Sequence, residues 1–128
     1  MSERLEVTLT LPLSPSLNNL YFSVGRRRVL SQRGREYHRA VADVVLRDLP
    51  SHIRFGKARL KLTVTVYPAT RRRFDIDNRV KAVSDSLCKA GMFDDDEQVD
   101  ELHVMRGDIR PPGSVVVEIS VLDGKNGV

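Results

Sequence analysis

The sequence predicts an α/β (α+β) fold, a single compact domain in which two main helices pack against a mixed β-sheet. Three observations carry this expectation. The chain has 128 residues, the length of one ordinary domain. It is 41% hydrophobic and 30% charged, so it can bury a core. Segments that alternate with period two are interleaved with segments of helical period. There is no internal repeat, low-complexity tract or linker, so residues 1–128 are expected to form one unit with 123–128 as a loose tail.

The elements follow in order. Residues 5–11 alternate apolar and polar, as a half-buried strand should. Pro12 and Pro15 end it, and Asn18 and Asn19 predict a turn. A short hairpin is expected from Tyr21 to Leu30 around Gly25, with Arg26, Arg27 and Arg28 at its tip. Ser31 is placed to cap a helix running to about Asp48, with Tyr37, Val41, Val44 and Val45 on its inner face and Pro50 as its stop. The clearest strand is 58–67, where Leu60, Leu62, Val64 and Val66 share one face and Lys61, Thr63, Thr65 and Tyr67 the other. Pro68 ends it, and a loop through Arg71, Arg72 and Arg73 follows. A second helix is predicted from near Asp77, with Val80, Val83, Ser84, Leu87 and Ala90 on one stripe and Gly91 as its C-terminal cap. Residues 99–106 and 114–122 predict two strands joined by a turn at Pro111-Pro112-Gly113.

Composition excludes several classes. No run approaches the roughly 18 apolar residues of a membrane span, and there is no signal-type N-terminus, so a cytoplasmic protein without a membrane partner is expected. One cysteine, Cys88, excludes an intramolecular disulfide framework and a cysteine zinc cluster; it is expected to be buried or at an interface. With no Trp and seven other aromatics, a stacking platform for single strands is not favoured. His38, His52 and His103 are scattered and predict surface or packing roles rather than a catalytic base.

The net charge of +4 is segregated. Residues 1–60 carry 11 basic and 5 acidic side chains, and residues 61–91 carry 7 and 3. Residues 92–101 carry 6 acids and no base. A basic body suits a polyanion, because each phosphate contact releases counterions. An acidic knot inside that body opposes the same partner unless a cation lies between them.

The chemistry concentrates in residues 71–81, Arg-Arg-Arg-Phe-Asp-Ile-Asp-Asn-Arg-Val-Lys. In extended backbone, alternate side chains point the same way, so Asp75 and Asp77 are expected to converge. Converging carboxylates repel unless they are protonated or share a cation. Hard oxygen ligands suit Mg²⁺, which keeps water and is often completed by substrate phosphates. Lys81 lies one helical turn beyond Asp77, where it can hold a scissile phosphate or stabilise developing charge. Blander roles remain open: Asp77 as a helix cap, Asp75 as a turn residue, Lys81 as a solvated helix residue. If the sheet carries the 92–99 segment back to this point, a third carboxylate completes a site for phosphodiester hydrolysis. The acidic run lacks the spacing of a calcium loop, and no Glu-x-Lys follows Asp75 as another nuclease class requires.

Residues 73–81, then Ala90-Gly91, then Asp95-Asp96-Glu97-Gln98-Val99, resemble the RusA family of Holliday junction resolvases. Leu11-Pro12 with Ser16 and Asn18-Asn19 is similar to that family's opening strand and turn, and the 58–68 strand ending in proline before an arginine-rich loop also fits. The resemblance spans about 5 to 122.

It implies a RusA-like fold and a small homodimeric, Mg²⁺-dependent endonuclease of DNA recombination and repair that resolves four-way junctions by paired symmetrical nicks. It implies Asp75, Asp77 and Asp96 as metal ligands and, with Lys81, as catalytic residues; Asp95 stays open as the alternative to Asp96. Asp94 departs from the family, which tends to place an apolar residue there, and Leu17 is inserted before the two asparagines. A two-fold dimer matches the approximate symmetry of a junction, and this chain is too small to span both cuts alone. Arg71, Arg72, Arg73, Arg26, Arg27, Arg28 and Lys81 are expected to hold the phosphates of branched double-stranded DNA, reading shape more than sequence. The competing reading is a branched-DNA-binding module without catalysis, its acids a solvated loop.

Overall fold

A four-stranded sheet organises the chain, and the order of its strands follows how apolar each one is. The computed structural model describes residues 6–122. In order they form β1 (Glu6–Pro12), α1 (Leu17–Leu20), β2 (Tyr21–Val24), β3 (Arg27–Leu30), α2 (Gln32–Asp48), β4 (Leu60–Tyr67), a 3₁₀ turn (Ile76–Arg79), α3 (Val80–Lys89), a second 3₁₀ turn (Asp96–Gln98), β5 (Val99–Arg106) and β6 (Ser114–Val121). The order in the sheet is β1-β6-β4-β5, with β5 parallel to β4 and the other pairs antiparallel. β2 and β3 form a separate hairpin around Gly25, as expected. The predicted start of the first strand at Leu5 and the predicted tail 123–128 lie outside the described residues.

The two predicted C-terminal strands both form, but they do not pair with each other: β4 lies between them. Their compositions account for this. β6 carries Val115, Val117 and Ile119 toward the core and is nearly continuous in apolar residues, which suits a strand flanked on both sides. β5 carries Asp100, Glu101, His103 and Arg106, charges that suit an exposed edge.

One face of the sheet is covered. Val7, Leu9, Leu11, Leu60, Leu62, Val64, Val66, Val115, Val117 and Ile119 form one core with residues of α2 and α3. Each such side chain contributes roughly 1.5–3 kcal/mol when fully buried. In register on the other face lie Thr8, Glu118 and Thr63, then Thr10, Val116 and Thr65. A helix-covered face and a mostly polar face make a two-layer sandwich, the predicted class.

α2 matches its prediction. Ser31 Oγ accepts from the Gly34 amide at 3.0 Å and donates to the Asn19 carbonyl at 2.6 Å, which ties the helix start to α1. Tyr37, Val41, Val44 and Val45 are buried. The predicted Asn18-Asn19 turn is one turn of helix, α1.

α3 starts later than predicted. It begins at Val80, after the 3₁₀ turn, and buries Ala82, Val83, Ser86 and Leu87. Val80 and Ser84, expected in the core, line a groove facing β5. The predicted stripe holds at Val83 and Leu87, with Ala90 packed against the core, and departs at Val80 and Ser84. The predicted cap at Gly91 does form. With φ at 84°, Gly91 donates to the Cys88 carbonyl while Met92 donates to that of Leu87, a Schellman motif with Leu87 and Met92 both fully buried. Among the described residues, no helix is long and apolar enough to cross a membrane.

Candidate functional site

The acidic loop after α3 is anchored from below. Met92 and Phe93 are buried, and the Asp94 amide donates to the Gly56 carbonyl. Gln98 is 4% exposed and uses its whole amide: Nε2 donates to the carbonyls of Gly56 and Ala58 at 2.8 and 2.7 Å, and Oε1 accepts from the amides of Asp94 and Asp95. Asp95 is the cap of the second 3₁₀ turn, its carboxylate accepting from the Glu97 amide. Arg59 bridges Glu97 and Asp100 across the loop. Much of the acidic run is therefore neutralised or tied by its own chain.

Asp96 is left pointing at α3. Its Oδ2 lies 2.9 Å from Lys81 Nζ, and its Oδ1 accepts from Cys88 Sγ at 3.1 Å. This separates the two neighbours that the sequence left open: Asp95 caps the turn, and Asp96 faces the lysine. Burial works against the ionised form of Asp96. The hydrogen bonds from Lys81 and Cys88 outweigh it and hold its carboxyl below the usual carboxylate range. Hydrogen bonds to Asp96 and Asp85 hold the Lys81 ammonium above the ordinary lysine range. Burial first, and then the Asp96 bond, pushes the Cys88 thiol up to about 12, so it stays protonated. Cys88 is half-buried and free, between the surface and core.

Asp77 lines the same groove as Lys81 and Asp96, a space of about 390 Å³ between α3 and β5 that also includes Leu62, Val80, Ser84, Val99, Leu102 and Val104. Asp75 lines a different space, a cleft of about 540 Å³ bounded by the 13–16 turn and the 68–75 loop, with Arg33, Arg72, Arg73, Asn78 and Arg79. The expected convergence through extended backbone does not hold here. Asp75 is extended, but Ile76–Arg79 is a 3₁₀ turn, and a helical turn breaks the two-residue period. Neither carboxylate caps a helix: Asp75 occupies the N-cap position without a side-chain bond, and Asp77 lies inside the turn. The capping role weighed for Asp77 is thereby removed.

Among the described residues, no group of three or more His, Cys, Asp and Glu side chains is arranged to hold a metal by itself. The donor chemistry nonetheless suits a hard cation. Asp96 already has a cation against one oxygen, the Lys81 ammonium, and Asp77 lines the same groove. Mg²⁺ needs only one or two carboxylates when waters and phosphate oxygens complete its shell.

The arginines divide into two kinds. Arg71, Arg72 and Arg73 are exposed, and among the described residues their guanidinium groups have no partner. Arg26 and Arg27 are exposed at the hairpin tip, and Arg28 lies 4.6 Å over the Tyr21 ring. Arg79, by contrast, turns inward. It donates to the Ser14 carbonyl while Ser14 Oγ donates back to the Arg79 carbonyl at 2.8 Å, and its Nε is buried without a partner. Phe74 is held between Arg79 and Arg106, with Arg106 also donating to the Phe74 carbonyl at 3.0 Å. These contacts brace the loop that carries Asp75.

Three residues were not anticipated. Asp85 Oδ1 lies 3.0 Å from Lys81 Nζ, and Tyr21 donates to Asp85 Oδ2 at 2.6 Å. That bond is the leading cause of a raised Tyr21 pKa. Gln98 holds the acidic loop, as described. The i,i+4 spacing of Lys81 and Asp85 was the one signal available in the sequence.

The chain matches the sequence profile of the family described as "Endodeoxyribonuclease RusA" over residues 12–120. It is 36% identical over 118 residues to the "Crossover junction endodeoxyribonuclease rusA" of Enterobacteria phage HK97, covering 92% of this chain and 97% of that protein. Similarity to the protein described as "Crossover junction endodeoxyribonuclease RusA" in Escherichia coli strain K12 is 33% over 115 residues, covering 88% and 92%. The phage 82 relative is likewise 33% identical over 114 residues. With a paired acid–lysine groove, an adjoining arginine cleft and similarity along nearly the whole length, the chain belongs to the RusA family of endodeoxyribonucleases.

Proposed function

We propose that this protein is a Mg²⁺-dependent, structure-selective endonuclease that resolves four-way DNA junctions by paired symmetrical nicks in recombination and repair. The observation that carries the reading is the shared groove of Asp77, Lys81 and Asp96 beside a cleft of arginines. An acid–lysine pair poised next to free cations serves phosphodiester chemistry better than binding alone, because carboxylates repel a polyanion unless a cation joins them. Relatives named as crossover junction endodeoxyribonucleases support the substrate class.

When bound, Mg²⁺ supplies Lewis-acid polarisation of the phosphoryl oxygen and a lowered pKa for an attacking water. Asp77 and Asp96 would hold it. Asp75, two residues before Asp77 on the arginine loop, belongs to the same proposed ligand set. Lys81, released from Asp96, would face the scissile phosphate and stabilise the charge that develops there. Arg71, Arg72, Arg73, Arg26, Arg27 and Arg28 would hold backbone phosphates.

A homodimer belongs to the same proposal, because two cuts related by a two-fold axis require two sites. The edge strand β5 supports it, with Leu102 and Met105 about half exposed on a sheet edge that no described element covers. Met105→Glu, away from the Asp77–Lys81–Asp96 groove, is expected to convert a dimer to a monomer in sedimentation and to uncouple the two nicks.

The test of the reaction is incubation with a synthetic mobile junction and a matched linear duplex, with and without Mg²⁺. Nicking confined to the junction and to the metal-containing reaction is expected. Asp75→Ala and Asp77→Ala should abolish nicking yet leave junction binding intact or tighter. Undiminished binding with no metal-dependent cleavage by the parent protein would favour the non-catalytic module.

A further inference from the structure

Lys81 is held from two sides, and the two sides differ. Asp96 Oδ2 lies 2.9 Å from its ammonium and Asp85 Oδ1 lies 3.0 Å away. The Asp85 side chain is the more buried of the two, 17% exposed against 34%. An i,i+4 ion pair on an isolated helix is worth only a few tenths of a kcal/mol, because both side chains must be immobilised to make it. Here the immobilisation is provided by a third element. Tyr21, 64 residues away at the start of β2, donates to the second oxygen of Asp85 at 2.6 Å. Each Asp85 oxygen thus has its own partner, and the carboxylate cannot rotate without losing one of them.

We propose that Asp85 is a positioning residue for Lys81, with Tyr21 setting the orientation of the Asp85 carboxylate from the arginine hairpin. The inference rests on the reading above that Lys81 acts at the scissile phosphate. Its physical basis is a competition. A divalent cation held by Asp96 would compete with the ammonium for that carboxylate, because two positive charges repel at such short range. Asp85 would then be the carboxylate that keeps Lys81 in place. Without it, a four-carbon side chain with freely rotating bonds samples many positions, and misplacement of about 1 Å is enough to cost a large factor in rate. The arrangement also joins two functions. Tyr21 opens the hairpin whose tip carries Arg26, Arg27 and Arg28, and Arg28 lies over its ring. A strand that grips phosphate is one hydrogen bond from the counter-ion of the active lysine.

The experiment compares the full-length parent protein with Asp85→Asn, Asp85→Glu, Tyr21→Phe, Lys81→Ala and the Lys81→Ala/Asp85→Asn double variant. Single-turnover nicking of the junction is read separately from junction Kd. Asp85→Asn is expected to slow nicking about ten- to a hundredfold with Kd unchanged within about twofold. Tyr21→Phe, which keeps the ring under Arg28, is expected to slow it by a smaller factor, and Asp85→Glu to recover part of the loss. In the Lys81→Ala background Asp85→Asn is expected to have no further effect, because its role passes through that lysine. A readout without metal or DNA accompanies these: the side-chain ammonium resonance of Lys81 in ¹H–¹⁵N spectra is expected to shift and to exchange faster in Asp85→Asn, where Asp96 alone still holds it. With Lys81→Ala slowed but measurable, wild-type nicking by Asp85→Asn, or an equal slowing by Asp85→Asn with and without Lys81, overturns the inference alone. Wild-type nicking by Lys81→Ala overturns the reading beneath it as well. If Asp85→Asn does not fold, Tyr21→Phe decides: full activity with an unaltered Lys81 resonance overturns the inference.

Discussion

The two loops that flank α3 are built on opposite principles. In the acidic loop, Gln98 uses its whole amide, Asp95 caps a turn, Arg59 bridges Glu97 and Asp100, and Asp96 is held by Lys81 and Cys88. In the basic loop, the guanidinium groups of Arg71, Arg72 and Arg73 have no partner among the described residues, and Asp75 makes no capping bond. The comparison separates two tasks. Groups that act at a reacting atom gain from being fixed before substrate arrives, because the entropy of ordering them is then spent in folding. Groups that hold phosphates gain from freedom, since a branched duplex presents its backbone along a shape that the protein must follow.

Breaking the fixed side should have the larger effect on the fold. Gln98→Leu keeps volume but strands the Ala58 carbonyl and the Asp95 amide, while the Asp94 amide and the Gly56 carbonyl keep each other. A loss of about 2–4 kcal/mol is expected in urea unfolding, together with slower nicking, because Asp96 loses its footing. A loss below about 0.5 kcal/mol would show that the loop is held elsewhere.

Breaking the free side should leave the fold alone. The combined change of Arg71, Arg72 and Arg73 to Ala is expected to alter stability by less than about 0.5 kcal/mol. Junction affinity should fall, and the slope of log K against log salt should become shallower by about 0.9 for each phosphate contact removed. An unchanged salt slope would move these arginines out of the interface.

The smallest effect lies outside both loops and sharpens the contrast. His38 Nδ1 lies 2.6 Å from Ser86 Oγ between α2 and α3, and burial pushes its pKa below the ordinary histidine value. Below about pH 6.5 the unfolded chain therefore takes up this proton before the folded one does. Stability from His38 is fully present above that pH and is lost as pH falls toward the lowered folded value. His38→Gln should flatten this part of the Tm profile between pH 7.5 and 5.5, and leave the salt slope of junction binding untouched.

Much of this was legible in the residues. The period of β4, the cap of α2 at Ser31 and the glycine after α3 are local signals, and each formed as expected. The pairing of Lys81 with Asp96 was legible only through resemblance, since 15 residues and a helix separate them. The entry to α3 was not legible. A single 3₁₀ turn, which no residue in Ile-Asp-Asn-Arg announces, delays the helix to Val80 and ends the extended backbone at Asp75.

By itself, then, the sequence determined which segments are strands and helices and where the charges gather, because capping, periodicity and side-chain type act over a few neighbouring residues. Only the tertiary structure decided that β6 lies between β1 and β4, that Asp96 rather than Asp95 meets Lys81, and that Tyr21 reaches Asp85 across 64 residues. Those outcomes depend on how buried faces pack and which polar atoms then meet, and packing is a property of the whole chain at once.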